Sequence, residues 1–228
     1  MKKNKIIVAL DSDNLIKTKQ LVKRLKNQVF AFKIGYEFFF NFGIDGYQKI
    51  KKICPNIFLD LKLHDIPNTV NKGIKAIQKL DPILTTIHIS GGDEMMKASK
   101  IKHNNTKILG VSILTSLDKD QTSKYYNKKK IKELVKKFVT EAKRNKLDGV
   151  VCSPMEIKYI REIVGKKFLI VTPGIRLKNK MPSKDDQKRT LTPKKAISLG
   201  ASFLVIGRPI TASQNPLETI KEINKSLS

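Results

Sequence analysis

The sequence has no tryptophan, two cysteines and only 20 acidic residues against 46 basic ones. Cys54 and Cys152 could form at most one bridge, which excludes a disulfide scaffold. Both sit in or beside strand-like apolar runs, so they are expected to be reduced core residues of a cytoplasmic protein. Long apolar runs are missing too: the longest stretch without Asp, Glu, Lys or Arg covers 12 residues, 196–207. A membrane-spanning helix needs roughly 18. The N-terminus meets Asp11 after five apolar residues and has no small-residue cleavage site, so no secretory signal is expected. Disorder is excluded by composition, because 40% of the 228 residues are hydrophobic and can bury a sizeable core.

What is abundant is positive charge, +26 in all. Such an excess raises the possibility of an anionic partner: nucleic acid, an acidic membrane or a phosphorylated metabolite. Six of the basic residues are Arg and 40 are Lys, beside 28 Ile, 14 Asn and 8 Ala. Lys, Ile and Asn rising together reads as coding bias. Specific phosphate or base recognition prefers Arg, so neither a nucleic-acid nor a membrane partner is expected.

Eight apolar, β-branched runs recur along the chain, at residues 6–10, 29–35, 57–63, 83–90, 108–114, 149–152, 168–172 and 203–207. Continuous hydrophobicity without polar alternation is what strands covered on both faces require. Helix-period segments lie between them. The clearest places Ile131, Leu134, Val135, Phe138, Val139 and Ala142 on one face. Others run over 15–25, 70–80, 156–164 and 216–223. Ser153-Pro154-Met155-Glu156 reads as an N-cap with a capping-box acid, and Thr192-Pro193 and Asn215-Pro216 repeat the theme. Eight β units alternating with helices predict an α/β fold, a (β/α)8 TIM barrel, as one domain over residues 1–228. A doubly wound open sheet is the alternative, but Asp11-Ser12-Asp13 stands where its Gly-rich loop would be.

Catalytic groups of a barrel come from the C-terminal ends of its strands. Those ends read Asp11, Lys33, Asp60 with Lys62 and Asp65, His88, Thr115-Ser116, Ser153, Arg176 and Gly207-Arg208. Charged groups inside apolar runs are costly unless paired. On a strand, Asp60 and Lys62 at i and i+2 point to the same side. Asp65 falls just past the strand end, so an Asp, a Lys and another Asp are expected to converge, with Lys33 completing an alternating line of charge. Such a line keeps Lys62 protonated and poised to give a proton to a developing carbanion. A buried ion-pair network that only fixes the barrel is the bland alternative.

Independently, the loops after the seventh and eighth strands form the usual phosphate site of this barrel, where Gly207 permits close approach and Arg208 offers a planar fork. Between the seventh strand and Thr192 lie about 17 residues, 175–191, a length found in lids or disordered segments; a lid carrying Gln187 onto the phosphate is expected, with a tolerated surface insertion as the bland alternative. His64, His88 and His103 have no paired helical spacing and no cysteine cluster accompanies them, so no metal is expected. Asp60, Asp65 and His88 are the one set that could hold a divalent ion. Phe38-Phe39-Phe40 and Phe42 read as packing residues, at a subunit interface if exposed.

The string Asp60-Leu61-Lys62-Leu63-His64-Asp65-Ile66-Pro67-Asn68-Thr69-Val70 resembles the signature of the orotidine 5'-phosphate decarboxylase family. Val8-Ala9-Leu10-Asp11, Phe32-Lys33-Ile34-Gly35, Pro173-Gly174-Ile175-Arg176 and Ile206-Gly207-Arg208-Pro209 extend that resemblance over the whole chain, toward the bacterial branch. It implies decarboxylation of orotidine 5'-monophosphate to uridine 5'-monophosphate, without cofactor, in a homodimer with shared active sites. Asp11 and Lys33 would hold the ribose hydroxyls, Asp60 would lie beside the scissile carboxylate and Lys62 would protonate C6. Asp65 and Thr69 would reach the site of the other subunit. Thr115, with Ser116 beside it, would meet the pyrimidine, and Arg176, Gln187, Gly207 and Arg208 would serve the phosphate. A metal-dependent barrel acting on a keto-hexulose phosphate is the nearest rival.

Overall fold

Each of the eight apolar runs becomes a strand, because each has one face to fill the barrel and another to meet the helices. In the computed structural model, which describes residues 4–101, 105–126, 130–177 and 190–227, the strands are β1 (Ile6–Ala9), β2 (Ala31–Ile34), β3 (Ile57–Leu63), β4 (Leu84–His88), β5 (Lys107–Val111), β6 (Gly149–Val151), β7 (Leu169–Thr172) and β8 (Phe203–Ile206). Every strand pairs in parallel with the next, and β8 returns to β1 with Leu204 opposite Ile6. The sheet is a closed eight-stranded barrel, so the expected fold is borne out and the open-sheet alternative is not.

Strand alternation divides the core in two. Ile7, Ala31, Phe58, Leu84, Leu109, Val171 and Val205 plug the barrel interior. Their neighbours, such as Ile6, Val8, Phe32, Ile34, Leu59 and Ile87, pack outward against the helices. Following the inward parity toward the C-terminal rim, the hydrocarbon plug gives way to polar groups: Asp11 beyond β1, Lys33 on β2, Asp60 on β3, Thr86 and His88 on β4.

The helices follow the strands as α1 (Leu15–Leu25), α2 (Tyr36–Lys51), α3 (Pro67–Lys79), α4 (Gly92–Ser99), α5 (Lys119–Tyr125), α6 (Ile131–Arg144), α7 (Ile157–Val164), α8 (Pro193–Ser198), α9 (Arg208–Thr211) and α10 (Pro216–Ser226). The stripe read from sequence is the buried face of α6, with Leu134, Val135, Val139 and Ala142 inside. Ser153 and Glu156 form the expected capping box, on a short 3-10 turn ahead of α7. Thr192 and Asn215 accept the N–H groups of Lys195 and Glu218 as N-caps. Helix α2 is not apparent from periodicity: its aromatic run is apolar on more than one side, and Gly43 breaks the helical geometry at φ 56°. Cys54 and Cys152 are buried and unbridged.

Candidate active site at the C-terminal rim

The rim brings four of the expected residues into one alternating line: Asp11, Lys33, Asp60 and Lys62. The Lys33 ammonium is 3.3 Å from Asp11 Oδ1 and 3.7 Å from Asp60 Oδ2, and Asp60 Oδ2 is 2.9 Å from the Lys62 ammonium. Lys33 gets there because Ala9 of β1 lies beside it in register, which sets its side chain against the chain leaving β1. A side chain at residue 35 would require the Lys33 ammonium to shift: a Cβ there would stand 2.8 Å from it and 3.4 Å from Asp11 Oδ1. Gly35 therefore belongs to the site although it contributes no functional group.

Asp60 is buried, which alone would raise its pKa; the Lys33 and Lys62 ammoniums, with hydrogen bonds from Lys62 and Thr86, overcome that and hold it below the usual carboxylate range. It is an anion clamped between two cations at any physiological pH.

Lys62 is not placed by regular strand alternation. Leu59 pairs with Thr85 and Leu63 with Ile87, so β3 spends four residues where β4 spends two. Within this bulge Lys62 takes a left-handed φ of 44°, a conformation that costs a side-chain-bearing residue about 1–2 kcal/mol. Three contacts hold it there. Its backbone N–H donates to Thr86 Oγ1 at 2.9 Å, its ammonium is bound by Asp60, and that ammonium lies 5.5 Å from the centre of the Tyr36 ring. Tyr36 in turn donates its hydroxyl to the Leu61 carbonyl at 3.1 Å. Burial, and then the Asp60 charge, raise the Tyr36 phenol, which stays protonated as a donor.

The remaining expected residues divide. Asp65 does not join the line in its own chain: it is exposed, makes no ion pair among the described residues, and accepts the Ile66 N–H at 2.7 Å. The convergence expected from the sequence therefore holds for Asp60, Lys62 and Lys33 but not for Asp65, because the chain turns into α3 immediately past the bulge. Asp65 and Thr69 instead line a cavity of about 550 Å³ together with Tyr36, Phe40, Lys62 and His88. Thr115 and Ser116 occupy a turn after β5. Arg176 follows β7 and is buried; its Nη1 donates to the Ile175 carbonyl, and its backbone N–H to the Leu191 carbonyl at 3.0 Å. Gly207 sits at the end of β8, where an added Cβ would meet Ala9 Cβ at 3.5 Å and Asp11 Oδ2 at 4.0 Å, ordinary contacts, and Arg208 opens α9. Gln187, the lid expected around it, and His103 lie outside the described residues.

His88 closes β4 beside this line. Burial, then the charges of His64 and Lys62, push it down to about 4, so it is a neutral imidazole near pH 7. The exposed His64 ring lies 5.1 Å from it. Among the described residues no group of three His, Cys, Asp or Glu side chains is placed to hold a metal ion, so Asp60, Asp65 and His88 do not form the alternative set. Likewise no helix is long and apolar enough to cross a membrane. Sequence reasoning missed Thr86, Tyr36 and Gly35 as parts of the site. Thr86 had a signal, a hydroxyl of inward parity between Leu84 and His88.

The site holds two carboxylates and two ammoniums in alternating contact, Asp11, Lys33, Asp60 and Lys62, at the mouth of a hydrocarbon plug. Known proteins carry the comparison further. The chain is 43% identical over 227 residues to the orotidine 5'-phosphate decarboxylase of Wolbachia pipientis subsp. Culex pipiens, covering 99% of each. It is 43% identical over 229 residues to that of Staphylococcus saprophyticus subsp. saprophyticus, covering 98% of each. The crystal structure of orotidine 5'-phosphate decarboxylase from Lactobacillus acidophilus superposes with a TM-score of 0.82 at 38% identity, covering 99% of both chains. Residues 4–223 match the model of the orotidine 5'-phosphate decarboxylase / HUMPS family, and the chain belongs to that family.

Proposed function

We propose that this protein decarboxylates orotidine 5'-monophosphate to uridine 5'-monophosphate and CO2 in pyrimidine nucleotide biosynthesis, as one catalytic domain and without metal or organic cofactor. The observation that carries the reading is the Asp11–Lys33–Asp60–Lys62 line, with ion contacts of 3.3, 3.7 and 2.9 Å, at the C-terminal rim of the barrel. In this reading Asp11 and Lys33 hold the ribose hydroxyls and Thr115-Ser116 the pyrimidine. Arg176, Gln187, Gly207 and Arg208 receive the phosphate, whose binding energy can assist chemistry at the distant ring carbon.

The chemistry follows from the charges. The substrate carboxylate is brought against Asp60, a fixed anion that disfavours it and not the transition state in which its charge moves to the ring. The C6–carboxylate bond breaks with its electron pair left on C6. The Lys62 ammonium, held by Asp60, delivers its proton to C6 and is reprotonated from water.

The second part of the proposal is a homodimer with shared sites, in which Asp65 and Thr69 reach the neighbouring subunit's active site and Asp65 extends its charge line. In support, Asp65 is left out of its own chain's line, and exposed apolar side chains flank it: Phe40, which lines the same cavity, is 77% exposed, and the adjacent Ile66 67%. A cytoplasmic location belongs to the same proposal. The test is loss of orotidine 5'-monophosphate absorbance on adding purified protein, with and without EDTA. Turnover unaffected by chelator is expected; no turnover, or turnover restored only by magnesium, would move the protein to the metal-dependent side of its family.

A further inference from the structure

One side chain ties the two ends of Lys62 to a single carboxylate. Thr86 stands opposite the β3 bulge, between the paired residues Leu59–Thr85 and Leu63–Ile87. On its other side it lies in register with Leu109 of β5, which fixes its backbone. Its buried hydroxyl accepts the Lys62 backbone N–H at 2.9 Å and donates its own proton to Asp60 Oδ1, also at 2.9 Å. Lys62 returns to the same carboxylate through its ammonium on Oδ2. The contacts close a ring: Lys62 backbone, Thr86 hydroxyl, Asp60 carboxylate, Lys62 side chain. Without the hydroxyl, the bulged N–H and one carboxylate oxygen both lose their partner, and the offset between Asp60 and the ammonium is no longer set.

We propose that Thr86 is a positioning residue of the decarboxylation, its hydroxyl coupling the bulged backbone at Lys62 to the Asp60 carboxylate so that carboxylate and ammonium keep one fixed geometry. This rests on the reaction proposed above. The adjacent Thr85 is an internal control. It is equally buried, but its hydroxyl donates to the Leu59 carbonyl at 2.9 Å and touches neither Asp60 nor Lys62 among the described residues.

The experiment compares Thr86→Val, Thr86→Ser and Thr85→Val in kcat and KM for orotidine 5'-monophosphate, with the Asp60 carboxyl followed by carbon-13 NMR titration. Preorganised groups of this kind are worth about 10²-fold when one is removed. Thr86→Val is therefore expected to lose about 10²-fold in kcat with KM changed less than about threefold. Its Asp60 should titrate at higher pH than in the unsubstituted protein, because a donor to the ionised form is gone. Thr86→Ser, which restores the hydroxyl, and Thr85→Val should keep kcat within about threefold. An unchanged kcat in Thr86→Val, or Thr86→Ser as impaired as Thr86→Val, overturns the proposal. Should Thr86→Val fail to fold, Thr86→Ser against Thr86→Cys asks the same question: a large loss confined to Cys supports it, and equal activities overturn it. Absence of turnover in the unsubstituted protein is a failure of the proposed reaction instead. The Asp60 titration still decides the coupling then, since an unmoved Asp60 in Thr86→Val contradicts it.

Discussion

Replacing Asp60 by Asn tests whether the charge line is a held structure or a loose set of neighbours. The substitution keeps shape and removes one negative charge from between two ammoniums, 2.9 Å and 3.7 Å away. At an effective dielectric of about 20, those separations correspond to attractions of about 6 and about 4–5 kcal/mol. Desolvating three ions offsets most of that, and deleting one partner of a buried pair costs roughly 3–5 kcal/mol in practice. The side chains of Lys62 and Lys33 keep 25% and 12% of their exposure, which places the expected loss at the low end, about 3 kcal/mol. For a chain of this size that is a fall in Tm of roughly 6–12 °C. Urea and thermal unfolding of both proteins at pH 7.5 measure it. The pH dependence carries a second signature. Asp60 is held below its ordinary value of 3.8 in the folded state, so its contribution is present above that pH and disappears as pH falls through the folded value. The two stability curves should therefore converge in strong acid. Asp60→Asn within about 0.5 kcal/mol of the unsubstituted protein at pH 7.5, or curves that stay parallel into acid, would refute the clamped-carboxylate reasoning.

Three further expectations follow from other residues. Gly35→Ala pushes a methyl group to within 2.8 Å of the present Lys33 ammonium position, so kcat/KM should fall about 10–100-fold with little change in Tm; an unaffected kcat/KM would show that Lys33 moves aside at no cost. His88, pushed from 6.5 down to about 4, resists a proton that the unfolded chain accepts, so stability should drop as pH falls from 6.5 to 4, by about 2 kcal/mol after solvent screening. His88→Gln should flatten that slope, and identical slopes would remove His88 as its cause. Lys62→Ala and Asp65→Ala, each inactive alone, should regain activity when unfolded and refolded together. Half of randomly assorted dimers are mixed and half of their sites are intact, roughly one site in four overall. Mixed dimers detected by mass without any gain would place Asp65 in its own chain's chemistry.

The eight strands were legible because a strand buried on both faces has to be apolar throughout, as in Ile6-Ile7-Val8-Ala9 or Phe203-Leu204-Val205-Ile206. Helix α6 was legible for the complementary reason, a single apolar stripe on an otherwise charged helix. Helix α2 was not, since Phe38 is buried while Phe40 is exposed, and side-chain type alone does not distinguish them. Within the site, Lys33, Asp60 and Lys62 stood out as charges in apolar runs. The order of the line did not, because it depends on two things that spacing does not encode. One is the β3–β4 register, which bulges at Lys62 and recruits Thr86: its inward parity can be read from the sequence, its partner cannot. The other is the turn into α3, which carries Asp65 away and leaves Asp11 as the far end of the line.

The most direct measurement is turnover of orotidine 5'-monophosphate by Lys62→Ala, read beside equilibrium binding of uridine 5'-monophosphate to the same variant. General-acid residues contribute about 10²–10⁴-fold, and the alignment imposed by Asp60 adds to that. Expected is a loss of turnover of at least about 10⁴-fold in a protein that still folds and still binds the product nucleotide. Turnover near that of the unsubstituted protein would contradict Lys62 as the proton donor and, with it, the function assigned to the charge line.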